Sequence, residues 1–99
     1  MIPVDYLNKI IAGEIHVGDA GAVLRRFAGD DWLQWQLDQA ILNYGMGVTP
    51  EGIQAVTLQG AKREALHELE ILYHTRGLWT VAIVEGDGGA TVTLSDTRR

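Results

Sequence analysis

The 99-residue chain contains no cysteine. That excludes disulfide staples, thiolate nucleophiles and zinc–sulfur cages. Serine occurs once, at Ser95, and lysine twice, at Lys9 and Lys62. A serine nucleophile elbow, Gly-x-Ser-x-Gly, is therefore missing. No apolar run approaches the roughly 18 residues that span a bilayer. Met1 to Lys9 lacks a basic lead followed by an apolar core, so no signal peptide is expected, and a cytoplasmic protein is the default.

Basic charge is also scarce. Eight Lys and Arg stand against thirteen Asp and Glu, a net charge of −5. Two of the bases, Arg98 and Arg99, are the last two residues. A phosphate-tracking surface draws its affinity from Lys and Arg, so direct nucleic-acid binding is disfavoured. The acids are spread along both halves of the chain, which reads mainly as solvation. Acidic mimicry of nucleic acid is a minor alternative.

What is present fits one domain over residues 1–99, at about 100–200 residues per domain. Apolar residues make up 46% and charged residues 21%, ordinary globular proportions rather than those of a disordered tail.

Pro3 to Ala12 reads as a first helix, with Val4, Leu7 and Ile11 on one face. Asp19 can cap a second, carrying Val23, Leu24 and Phe27. Asp30 reads as the cap of a third helix, Asp31 to Tyr44, with Asp31 in the first turn. Gly13, Gly29, Gly45 and Gly77 each follow a helix-like stretch and suit left-handed termini.

The third helix is the most informative. At 100° per residue from Trp32, its Leu33, Leu37, Ala40, Ile41 and Tyr44 fall between about 80° and 180°, a core stripe. Trp35 and Leu42 fall near ~300° and ~280°, on the opposite flank, and Trp32 also lies outside the stripe. A helix apolar on two sides must bury both or offer one to another chain.

Thr49-Pro50-Glu51 resembles a helix start, so a helix is expected from Pro50 with a break near Gly60. Val56-Thr57-Leu58 would equally suit a strand. Ala61 to Thr75 reads as a helix, with Leu58, Ala61, Ala65, Leu69 and Leu72 inward, flanked by Leu66 and Tyr73. Its polar face carries Arg63, His67, Glu70 and His74. After Gly77 the period becomes two, and Glu85-Gly86-Asp87-Gly88-Gly89 marks a turn. The expected fold is α+β: four to five short helices, then a C-terminal antiparallel β-hairpin packed on the Ala61–Thr75 helix.

The catalytic and metal motifs are weak. His67 and His74 lie two helical turns apart, ~10.5 Å along the axis, too far to share one ion. Glu64-x-x-His67 occurs once, whereas di-iron bundles need two such motifs. Asp30 and Asp31 are explained by capping, and the glycine-rich turn joins two strands rather than a strand and a helix. No catalytic residue, cofactor or metal is expected.

The favoured expectation is a small acidic, non-catalytic protein-interaction module with Asp31, Trp32, Trp35, Asp38 and Leu42 as contact surface. Tryptophan is enriched at binding hot spots. Its partner would be another protein, a second copy in a homo-oligomer, or both, with no direct nucleic acid and no membrane. In size and acidity it is like the compact inhibitors and accessory proteins of phage and mobile elements, an analogy of character only. The alternative is a small-molecule-binding module or minor enzyme, with Tyr44, Tyr73, His74, Arg76 and Trp79 converging between the hairpin and the third helix, where a dimer seam would supply a large enough pocket.

Overall fold

The computed structural model describes residues 1–96, so Arg98 and Arg99 lie outside the described residues. In chain order these residues form α1 (Val4–Ile11), α2 (Ala20–Ala28), α3 (Trp32–Gly45), β1 (Val56–Leu58), α4 (Arg63–Thr75), β2 (Trp79–Gly86) and β3 (Gly89–Asp96). The class is α+β, with the hairpin at the C-terminal end.

Local chemistry explains the helix ends. The Asp19 carboxylate accepts from the Ala22 N–H at 3.2 Å and starts α2. Asp31, not Asp30, caps α3: one oxygen accepts from the N–H groups of Leu33 at 3.0 Å and Gln34 at 3.2 Å. The sequence reading was one residue early because both aspartates suit the position, and only geometry separates them. Gly13 and Gly29 have the expected left-handed backbone. Gly45 instead remains helical, and Gly47 takes the left-handed conformation beyond it. Gly77 is needed for another reason. A Cβ there would lie 2.6 Å from Trp79 and 2.7 Å from the Tyr73 carbonyl. The bare backbone lets Trp79 fold inward directly after α4.

The helix expected from Pro50 does not form. Gly52, at φ +144°, ends a single turn closed by its N–H on the Thr49 carbonyl at 3.1 Å. The chain then extends, and Val56, Thr57 and Leu58 pair with Val92, Thr91 and Ala90. Pairing on the flank of β3 outweighs the local helix signal, as β-branched residues suit a pleated surface. The sheet is antiparallel throughout, in the order β1-β3-β2.

One face of this sheet meets the helices. Trp79, Leu58, Ala90, Val92 and Leu94 are buried there. Against them stand Val4 and Leu7 of α1, Leu37, Ile41 and Leu42 of α3, and Leu66, Leu69 and Tyr73 of α4. Each fully buried Leu or Ile contributes about 1.5–3 kcal/mol relative to exposure. In α1 the third inward residue is Ile10, while Ile11 stays 49% exposed, because spacings of three keep the face on α3. In α4 the inward set is Leu66, Leu69 and Tyr73, with Ala65 and Leu72 only half-buried. The other sheet face, with Thr80, Ala82, Val84, Thr93 and Ser95, is exposed.

Candidate functional site

α3 touches α1, α2 and β1 and presents two unlike flanks. Its inner flank carries Asp38, a buried acid. One oxygen accepts from the Ile2 N–H at 2.9 Å and from the Tyr73 hydroxyl at 2.7 Å. The other faces the Met1 ammonium at 3.3 Å without a hydrogen bond. The ammonium's protons go elsewhere: to the Phe27 carbonyl and to the Gln34 side chain at 2.7 Å. The Trp79 indole N–H closes the cluster on the Ile2 carbonyl at 2.7 Å.

Burial pushes the Asp38 carboxyl above its ordinary range, against the opposing pull of Tyr73, the Ile2 N–H and the ammonium. Burial, reinforced by Asp38, likewise raises the Tyr73 phenol. These groups are spent on one another. Asp38 is a structural keystone and, with Leu42, leaves the candidate contact surface: both are 0% exposed. Leu42 lies inside because β1 and the sheet cover a flank that the helical projection alone left open.

The outer flank keeps the other three candidates. Asp31 is exposed at the helix start. Trp32 is 71% exposed. Trp35 is half-buried, its indole N–H fixed on the Gly29 carbonyl at 2.5 Å. Trp32, Trp35, Gln36, Gln39 and Val56 line a groove of about 300 Å³. A second hollow of about 320 Å³ shares Gln36, Gln39 and Val56 and continues past Asn43 and Gln54. The seam between α3 and β1 thus runs from two indoles to a row of amides. Gln36, Gln39 and Val56 were missed in the sequence; the β-branched pair Val56-Thr57 was the available signal.

The residues of the small-molecule alternative separate. Tyr44 and Trp79 line a cleft of about 390 Å³ with Leu7, Ile53 and Leu94. Tyr73 is sealed against Asp38, and Arg76 is exposed. His74, also exposed, places Nδ1 3.0 Å from the Trp79 carbonyl. Among the described residues no three His, Asp or Glu side chains are grouped to hold a metal, and no helix is long and apolar enough to cross a membrane.

No family model, curated protein or solved structure matches this chain.

Proposed function

We propose that this protein is a non-catalytic interaction module that grips a partner protein at the α3–β1 seam. The observation that carries the reading is Trp32, an indole left 71% exposed beside the anchored ring of Trp35. A pre-fixed ring next to a free one suits the capture of an apolar side chain, because little rotamer freedom remains to be lost. The amides of Gln36, Gln39 and Gln54 can pair with the backbone flanking that side chain. Asp30 and Asp31, both exposed, and the net charge of −5 favour a partner with Lys or Arg beside its anchor. An inhibitor or accessory role toward a larger assembly would use this same grip.

Pull-down from the native host, run in parallel with wild type and Trp32→Glu, tests the reading. A protein retained by the wild type and lost with Trp32→Glu, at unchanged circular dichroism, supports it. Equal retention by both overturns it. Peptides with one aromatic anchor and flanking Lys or Asp test the charge preference. The Lys series should bind more tightly, and more weakly as salt rises.

A second reading rests on the cleft at Tyr44, whose volume lies at the small end of ligand pockets, about 300–1,000 Å³. A thermal shift with a metabolite panel at millimolar concentration tests it.

A further inference from the structure

We propose that the free edge of β2 pairs antiparallel with β2 of a second copy, about a two-fold axis at Ala82, joining two sheets into one of six strands. The order β1-β3-β2 leaves β2 at an edge. In an antiparallel ladder, alternate residues of an edge strand turn their N–H and C=O groups outward. Such a row templates another strand unless something blocks it, commonly Lys, Pro, a bulge or shortness.

β2 carries no Lys, proline or bulge, and its one charge, Glu85 at the turn end, is engaged by Arg63 of its own chain at 3.6 Å. Trp79 to Val84 contains no charge, proline or glycine. Its ladder with β3 runs without interruption from Trp79↔Asp96 to Gly86↔Gly89. The opposite edge strand, β1, is protected by its length of three residues.

Burial marks the same edge. Val81 and Ile83 point to the inner face but are only half-buried, whereas their partners across the ladder, Leu94 and Val92, are 4% and 1% exposed. A neighbouring strand would cover this lip. On the outer face Ala82 carries only a methyl group, and Val84 is 69% exposed.

The charges at the ends of β2 are self-complementary. Arg76 precedes the strand and Asp87 follows it, both exposed and neither in an ion pair among the described residues. With Ala82 opposite its copy, Trp79 of each chain stands opposite Glu85 of the other, so the Arg76 end of each β2 meets the Asp87 end of its copy. A two-fold axis makes that contact twice, the arrangement expected of an isologous dimer.

Light scattering and a cysteine scan test the pairing. Wild type should approach twice the 10.9 kDa chain mass as concentration rises towards about 1 mM. Ala82→Lys sets like charges opposite each other and should raise the dimer dissociation constant at least about tenfold. Since the native chain has no cysteine, Ala82→Cys can form a disulfide only between copies. Antiparallel Cα separations of about 4.5–5.5 Å suit that bond. Under mild oxidation Ala82→Cys should give covalent dimer, and Thr93→Cys, one strand inward on β3, far less. A wild type that stays at 10.9 kDa overturns the proposal, as does cross-linking of Thr93→Cys equal to that of Ala82→Cys. So does a dimer lost with Trp32→Ala but kept with Ala82→Lys. A dimer indifferent to Trp32→Ala supports it and leaves the seam to be judged by its own partner.

Discussion

Asp31 and Asp38 stand two turns apart on one helix and do opposite work. Asp31 sits in water and orders the start of α3 through two backbone N–H groups. Asp38 sits in the core and fastens the first residues of the chain to α4 through Ile2 and Tyr73. The apolar residues around them divide likewise. Leu42, on Asp38's side of the structure, is sealed in, while Trp32, next to Asp31, is left out. Neither fate follows from residue type. It follows from what the rest of the chain brings to each flank.

If that contrast is sound, removing the buried acid should do the most damage. Asp38→Ala leaves the Ile2 N–H, the Tyr73 hydroxyl and the Met1 ammonium short of a partner in the interior. Breaking a buried charge pair costs about 3–5 kcal/mol, so urea unfolding should shift by that amount. Leu42→Ala should cost about 2–5 kcal/mol as a core cavity. A cost below about 0.5 kcal/mol, the range of ordinary surface positions, would return Leu42 to the surface. Asp31→Ala, losing only a cap, should cost about 1 kcal/mol. Trp32→Ala should move stability by no more than about 0.5 kcal/mol while abolishing retention of the partner.

The pH dependence sharpens the same comparison. The Asp38 carboxyl is raised in the folded protein, so the folded state holds its proton more tightly than the unfolded chain does. Its linked contribution is complete below the ordinary carboxylate value and is lost as pH rises through the raised folded value. Asp38→Asn cannot titrate. The stability of wild type minus that of Asp38→Asn should therefore fall as pH climbs from about 3.8 towards neutrality. A difference that rises over that window would contradict the burial argument.

Much of the fold was legible where a period persisted. The hairpin, α4 and the core residues Leu37, Ala40 and Ile41 follow from alternation or helical spacing alone. The third strand was legible only as one of two readings of 53–58, because Thr49-Pro50-Glu51 has the chemistry of a helix start and the pairing with β3 that decides between them is remote in sequence. The candidate contact surface was half legible. Trp32 and Trp35 stand out by type and phase, but the fate of Asp38 depends on Met1 and Tyr73, 37 residues before and 35 after it. No local window holds that information.

The three indoles form a graded set of optical depth gauges. Trp79 is shut away, Trp35 is tethered at the boundary, and Trp32 stands in solvent. Acrylamide should quench them in the reverse order. A blue shift confined to the most quenchable emission would signal docking at the seam, whereas a red shift of the least quenchable would signal loss of the core. One chain thus carries separate optical signals for occupancy and for unfolding, with no label added.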